Sequence, residues 1–149
     1  MRRGAFCVLS LALGVFSAGA AWAYVPPVVG EITDPFRPPA TKYSSGNRGI
    51  DYSPSAGTTV VASAAGQVTF AGHVGGDLFV VIAHDDGIRT TYGYLASIGV
   101  RVGQHVERGS AVGTSGATLH FGARIGDRYI DPSRLFGSKV HLVPLRGLD

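Results

Sequence analysis

A series of short β-rich runs separated by turn residues constrains the fold most, and no stretch of the chain shows a helical period. The runs are rich in Val, Ile, Thr, Tyr and Phe, which favour strands, and are bounded by Gly, Asp and Ser. Asp85-Asp86-Gly87 and Gly126-Asp127 follow two of them and predict tight hairpins, because Gly supplies the positive φ that such turns require. The sequence therefore predicts an all-β antiparallel sheet or half-barrel, with strands at Thr58–Ser63, Gln67–Gly72, Leu78–His84, Ile88–Tyr94, Val100–Val106 and Leu119–Ile125.

One short segment near the C-terminus departs from this pattern. Asp131 is a residue type that caps helix N-termini, and Pro132 is tolerated at the first helical position because its missing N–H has no partner there in any case. The sequence predicts a single helical turn at 132–136.

The N-terminus carries the features of an export signal. Two arginines precede the apolar run Ala5–Gly19, which closes on the small residues of Ala21-Trp22-Ala23. A membrane-spanning helix would need roughly 20 apolar residues, and an A-x-A pattern is typical of signal-peptide cleavage. We expect residues 1–23 to be a cleaved signal peptide and the protein to reach the bacterial envelope or the outside, with an uncleaved anchor as the alternative.

The remaining chain has room for one domain. Residues 24–45 are rich in Pro, Gly and Ser and predict an extended lead-in, 46–137 carry the β pattern, and 138–149 are expected to be a tail. Roughly 125 residues are enough for a single core. The only cysteine, Cys7, lies in the expected signal peptide, so the core would be held by packing and not by disulfides.

Charge argues against a nucleic-acid partner. Excluding the two signal arginines from the 13 basic side chains leaves 11 against 10 acidic ones, a net charge of +1. Without a basic excess or patch, nucleic-acid binding is not expected. The absence of a coiled-coil heptad or repeat favours a monomer, and after signal cleavage no membrane contact is expected.

An ordered set of motifs carries a family resemblance. It runs from about residue 34 to Phe136 and comprises Gly46-Asn47-Arg48-Gly49-Ile50-Asp51-Tyr52, Gly57-Thr58-Thr59-Val60-Val61-Ala62, Gly66-Gln67-Val68 and Thr118-Leu119-His120-Phe121. In this order the motifs resemble the lysostaphin-type (LytM domain) zinc metallopeptidases, which cut peptidoglycan peptides. The resemblance implies a LytM-like domain over 46–137 that acts at the cell wall.

The same resemblance identifies the expected site and its departures. Family members take two zinc ligands from an H-x-x-x-D pair and a third from the last His of H-x-H, positions that here hold Asn47, Asp51 and His120. The two catalytic histidines of the family correspond to Tyr94 and Thr118. A phenol and a threonine hydroxyl do not exchange protons near neutral pH as imidazole does.

These departures favour a catalytically inactive domain. Asp51 and His120 are remnant ligands that alone would hold zinc weakly, since a stable site needs three or four protein ligands. No cofactor is expected. The favoured function is binding to peptidoglycan or regulation of a cell-wall hydrolase, and the alternative is a zinc metalloendopeptidase with an atypical site. Tyr94 is expected to line a groove that would bind sugar or peptide.

Three further hypotheses concern additional histidine ligands, a carrier domain and an arginine patch. His84 or His73 would have to approach the site to complete a metal shell, which sequence separation does not indicate. The run from Gly57 to Gly66 also resembles biotinyl and lipoyl carrier domains, but neither Lys42 nor Lys139 lies on the hairpin tip that attachment requires. The scattered arginines are interpreted as a solvated face, not as an anion-binding patch: Arg89, Arg101, Arg108, Arg124 and Arg128.

Overall fold

Nine antiparallel strands and one helical turn make up the computed structural model, which describes residues 24–137. The predicted signal peptide and tail therefore lie outside the described residues. The all-β antiparallel prediction is confirmed, as is the short C-terminal helical turn, a 3-10 turn at Pro132–Leu135 that Asp131 caps. The strands are β1 Glu31–Asp34, β2 Gly49–Ser53, β3 Thr59–Val61, β4 Gly66–Val74, β5 Asp77–Ala83, β6 Ile88–Ile98, β7 His105–Val106, β8 Ala111–Ile125 and β9 Arg128–Ile130.

The sheet is organised around β8, its longest strand. The strand order is β1-β2-β8-β6-β5-β4-β7, and β3 and β9 also pair with β8. β8 pairs with β6 along much of one edge, and along the other its successive parts meet β3, β2 and β9. This arrangement sets β2 and the second half of β8 side by side.

Both predicted hairpins are confirmed. Asp85-Asp86-Gly87 lies in the turn that joins β5 to β6, where Gly87 has φ +85° and the Ile88 amide donates to the Asp86 carboxylate at 3.0 Å. Gly126, with φ +55°, turns β8 into β9. In each case glycine adopts a conformation that costs other residues conformational energy.

The core lies on one face of the sheet. Alternate residues of a strand point to opposite faces, so every second residue of a strand contributes to this core. Val80 and Ile82 of β5 are fully buried there, as are Tyr92 of β6 and Leu119 and Phe121 of β8. Each such side chain contributes about 1.5–3 kcal/mol of burial free energy. The residues between them in sequence form the opposite face of the sheet.

Several strands differ from the sequence prediction, which did not include β2 or β9. The run Val100–Val106 forms a strand only at His105–Val106, since Gly103 turns the chain with φ +88°. β1 falls in the lead-in, where no strand was expected, and β8 begins at Ala111, well before Leu119. The first half of β8 contains Gly113, where a Cβ would lie 2.1 Å from the Ser97 carbonyl oxygen, so close approach of β6 requires a residue type that strand propensity penalises.

The start of the described chain packs firmly on the domain. Tyr24 is buried, its hydroxyl donates to both oxygens of Asp86 at 2.9 and 3.0 Å, and its ring meets His84 edge-on. Burial, followed by the Asp86 contact, raises the pKa of Tyr24. No helix within residues 24–137 combines the length and the apolar character that a membrane span requires.

Candidate functional site

Asp51 and His120 face each other across neighbouring strands. They are directly paired in the β2–β8 register, and both are about a fifth to a quarter exposed as side chains. His120 Nδ1 lies 2.7 Å from Asp51 Oδ1, which makes Nδ1 the protonated nitrogen that donates to the carboxylate. The structure therefore brings these two predicted remnant ligands into direct contact.

Asn47 closes the site on the β1 side through a complete set of hydrogen bonds. Its backbone exchanges two bonds with Arg37, at 2.8 and 3.0 Å. Its side-chain oxygen accepts from the Gly49 amide at 3.1 Å, and its NH2 group donates to the Asp34 carbonyl at 3.2 Å and faces Asp51 Oδ2 at 3.4 Å. The opposite amide orientation would set oxygen against two acceptors and NH2 against a donor. The network therefore directs a donor, not a metal ligand, toward Asp51.

The arrangement does not fit a three-ligand zinc centre. A zinc centre needs a third protein ligand beside a histidine nitrogen and a carboxylate oxygen, whereas Asn47 directs its NH2 group toward Asp51 Oδ2. Within residues 24–137 no group of three His, Cys, Asp or Glu side chains comes together as a metal site. Asp51 and His120 are the two side chains at this position that are able to ligate a metal.

Tyr94 stands beside the pair in an unusual backbone conformation. It is the one residue other than glycine with positive φ in the described chain, at +60°, and it sits at an irregularity of the β6–β8 register. Its ring meets His120 edge-on at 6.3 Å and lies 5.7 Å from Phe79. The residue is 44% exposed, so Tyr94 is available to a ligand beside His120.

Phe79 covers the floor beside His120. Its ring lies over Gly93, where a Cβ would come within 2.3 Å of the ring. Gly93 is the β6 neighbour of both Phe79 and His120, so the row Phe79, Gly93, His120 and Asp51 crosses four strands. Only a glycine leaves space for the ring at that point.

Thr118 lies on β8 two residues before His120 and is exposed. Around it the β6–β8 pairing is interrupted, since Gly93 pairs with His120 but Leu95 pairs with Ser115. The structure therefore places Thr118 at the margin of the site, on a segment that is not paired with β6. Its hydroxyl is not held against the Asp51–His120 pair by any hydrogen bond among the described residues.

A groove continues from His120 along the outer face of the sheet. One section, of about 210 Å³, is lined by Arg48, Phe79, Thr91, His120, Gly122, Ala123, Arg124 and Tyr129. A second section, of about 360 Å³, shares Phe79, Thr91 and Arg124 and adds Phe70, Val81 and Arg89. Gly122 keeps the floor low between His120 and Arg124.

Sequence reasoning missed most of these groove residues. The available signal was the period of two along β8, which places His120, Gly122 and Arg124 on one face. The sequence interpretation of the arginines as a scattered solvated face stays a prediction, and the structure adds that Arg89 and Arg124 are direct cross-strand neighbours. This pairing depends on the β6–β8 register, which the sequence does not reveal.

The remaining candidate ligands do not approach the site. His84 is buried, with Nδ1 2.8 Å from the Ala65 carbonyl oxygen and Nε2 2.8 Å from the Thr90 hydroxyl. Both ring nitrogens of His84 are therefore occupied by hydrogen bonds inside the domain. His73 is exposed near the β4–β5 hairpin.

The antiparallel sheet and the Asp51–His120 pair are the features expected of a LytM-type domain, and comparison with known proteins identifies the family. The model for peptidase family M23 matches residues 45–132, more than half of the chain. The chain therefore belongs to peptidase family M23, as the LytM-type motifs predicted. Among solved structures, Csd3 of Helicobacter pylori superposes with a TM-score of 0.69 at 27% identity, covering 80% of this chain and 36% of that one.

Two relatives illustrate the range of proteins that contain this domain. An uncharacterised protein of Mycobacterium tuberculosis is 33% identical, covering 74% of this chain and 54% of its own length. The murein hydrolase activator NlpD of Escherichia coli is also 33% identical, over 60% of this chain and 26% of its own length. The chain thus spans about half of the first relative and about a quarter of the second.

Proposed function

We propose that this protein is an exported, catalytically inactive M23 domain that acts at the peptidoglycan cell wall, binding the wall or regulating a wall hydrolase. The proposal depends most on the hydrogen bonds that the Asn47 side chain makes. Its oxygen is bonded to the Gly49 amide and its NH2 group is directed at Asp51 Oδ2. The third ligand direction is therefore filled by a structural amide.

Loss of the proton-transfer groups supports the same conclusion. Metallopeptidases of this type need groups that take and return protons near neutral pH. Tyr94 and Thr118 stand where the family has its catalytic histidines, and each offers only a hydroxyl. Two catalytic positions and one ligand position have therefore changed. We infer that Asp51 and His120 show where the groove lies and do not form a working catalytic site.

A role at the wall is supported by the family and by one of its relatives. NlpD, which matches 60% of this chain, is named a murein hydrolase activator. The groove of the present domain is open along the sheet face, and an exposed aromatic residue, Tyr94, stands edge-on to His120 at one end of it. Such a groove supports binding of a peptide without cleavage.

Location outside the cytoplasm is part of the proposal. Residues 1–23 have the charge, apolar run and small-residue ending of a signal peptide. The lead-in at 24–45, the domain at 46–137 and the tail at 138–149 would then be exported together. The partners that we propose are peptidoglycan or a wall hydrolase, and not nucleic acid.

The alternative is a zinc metalloendopeptidase with an atypical site, which membership of a peptidase family supports. It would require zinc to separate His120 from Asp51 and to acquire a third ligand from water or from a rearranged Asn47. It would also require a proton acceptor other than imidazole at positions 94 and 118.

Metal analysis and wall assays on one preparation test the proposal. The purified exported protein is expected to contain substoichiometric zinc, to leave labelled peptidoglycan intact, and to sediment with purified sacculi or stimulate a wall hydrolase. Stoichiometric zinc together with cleavage that Asp51→Ala abolishes would replace the proposal with the alternative. If the protein neither sediments with sacculi nor stimulates a wall hydrolase, the binding and regulatory role is refuted.

A further inference from the structure

Arg89 and Arg124 form a like-charged pair on the outer face of the sheet. The β6–β8 register sets them directly opposite each other, so their Cβ atoms are about 5 Å apart and their side chains share a face. Directly opposed like charges destabilise a sheet. The pairing therefore has a cost that the fold itself does not require.

Neither guanidinium is neutralised within the described chain. Other arginines on the surface do have carboxylate partners, as Arg37 has Asp34 at 2.7 Å and Arg134 has Asp131 at 3.9 Å. No ion pair or hydrogen bond involves the side chain of Arg89 or Arg124 among residues 24–137. The two are thus open to an anion from outside.

The pair lies in the groove that begins at the remnant site. Both arginines line its 360 Å³ section, and Arg124 also lines the 210 Å³ section with His120 and Gly122. Arg124 is four residues from His120 on the same strand face, or about 13 Å along β8. A ligand of about four extended residues would span that distance.

Gly122 adds no side chain to the floor of the groove between the two ends. A Cβ there would meet its nearest atoms, the Arg48 carbonyl oxygen and His120 Nε2, at 3.6 Å, which is an ordinary van der Waals contact, so an alanine fits but raises the floor by a methyl group. Arg48 borders this stretch and is held by a 2.7 Å bond to the Lys42 carbonyl and by the Tyr129 ring. The groove is therefore narrow and fixed on that side.

We propose that Arg89 and Arg124 form an anchoring site for a carboxylate of a peptidoglycan stem peptide, whose chain then runs over Gly122 toward His120 and Tyr94. Paired guanidinium groups match a carboxylate in both charge and fork geometry. The short span and small volume favour a peptide of a few residues over a folded acidic partner. The proposal rests on the proposed wall-binding function and assigns its specificity to these two arginines.

Binding measurements with matched ligands and variants test the assignment. The ligands are a soluble disaccharide tetrapeptide with free carboxyl groups and the same compound with those groups amidated. The variants of the full chain are Arg89→Gln, Arg124→Gln and the double variant, with Arg101→Gln as a control that removes one exposed positive charge elsewhere. Sedimentation with sacculi is measured for all of them.

The expected results are a free-carboxyl ligand bound at least about tenfold more tightly than the amidated one, and about a tenfold or greater loss for each groove arginine. Arg101→Gln should bind like the wild type. Thermal stability of Arg89→Gln and Arg124→Gln should equal or exceed that of the wild type, since a repulsive pair is removed. Gly122→Ala, which fits the fold without a clash, should also weaken binding.

Outcomes separate this inference from the function on which it rests. One outcome is that the wild type binds sacculi and binds the amidated and free-carboxyl ligands equally tightly, while the double variant binds as tightly as the wild type. In that case the carboxylate anchor is wrong and the wall-binding role stands. If the double variant loses only its response to a wall hydrolase, the occupant is an acidic protein segment and the inference is wrong. If the wild type binds neither sacculi nor tetrapeptide and does not stimulate a wall hydrolase, both the inference and the proposed function are refuted.

Discussion

Replacing Asn47 with histidine should convert a structural position into a metal ligand at a cost in metal-free stability. The substitution removes the acceptor of the Gly49 amide and the donor to the Asp34 carbonyl, both in a nearly buried setting where Asn47 is 6% exposed. A buried polar group left without a partner costs about 1–3 kcal/mol. With chelator present, we expect the free energy of unfolding of Asn47→His to be lower than that of the wild type by this amount.

Zinc should reverse the loss in the variant. With a third imidazole beside Asp51 and His120, the site gains the three protein ligands that a zinc centre requires. A ligand that binds only the folded state at 100 times its Kd stabilises by about 2.7 kcal/mol, which offsets most or all of the deficit. At about 4 °C per kcal/mol, the zinc-dependent rise in Tm should be about 10 °C.

Urea denaturation with chelator and with excess zinc measures both terms. Asn47→Ala is the matched control, because it loses the same hydrogen bonds without gaining a ligand and should stay destabilised when zinc is added. An equal zinc response of wild type and Asn47→His would mean that the natural site already holds the metal, and full stability of Asn47→Ala would mean that the amide network is dispensable. Even with zinc, Asn47→His should not cleave peptidoglycan, because Tyr94 and Thr118 remain.

Three further predictions concern stability, each measured by urea denaturation. Gly93→Ala should lower the free energy of unfolding by about 1–3 kcal/mol because its Cβ would lie 2.3 Å from the Phe79 ring. Gly122→Ala is the control and should leave the free energy of unfolding unchanged. Equal losses in the two variants would contradict the clash with Phe79 as the cause. Tyr94→Gly should leave the domain as stable or about 1 kcal/mol more stable by relieving the φ of +60°, and a clear loss would show that ring contacts outweigh strain. Burial raises the pKa of Tyr92 to about 12, so the unfolded chain releases this proton at lower pH than the folded chain and stability should fall between about pH 10 and 12. Tyr92→Phe should make that alkaline decline smaller by about 3 kcal/mol, and an unchanged decline would argue against this assignment.

Local features of the fold were predictable, and long-range register was not. The Asp85-Asp86-Gly87 turn and the Asp131–Pro132 start of the helical turn depend on residue types within a few positions, and both occur as expected. β1 and the first half of β8 carry weak strand signals and form because neighbouring strands pair with them. Tertiary pairing overrides local preference in such segments.

The candidate site divides in the same way. The family motifs located Asp51 and His120, which the β2–β8 register sets opposite each other. The role of Asn47 depends on the lead-in folding back to offer the Asp34 carbonyl and the Arg37 backbone. Contacts of that kind join segments whose sequences carry no shared pattern, so the amide network and the Arg89–Arg124 pair emerge only from the fold.

The short edge strands of the open sheet bear on how the domain behaves at high concentration. An open sheet ends in strands whose outer backbone groups lack a partner, and these can recruit another chain. Here the sheet order ends in β1, with four residues including the charged Glu31 and Asp34, and in β7, with two residues. The edges of β1 and β7 therefore offer few backbone groups for strand addition. Among the described residues β4 pairs with β7 only at Gly66 and Gln67, so the rest of its outer edge is the place where another chain would add in concentrated solution.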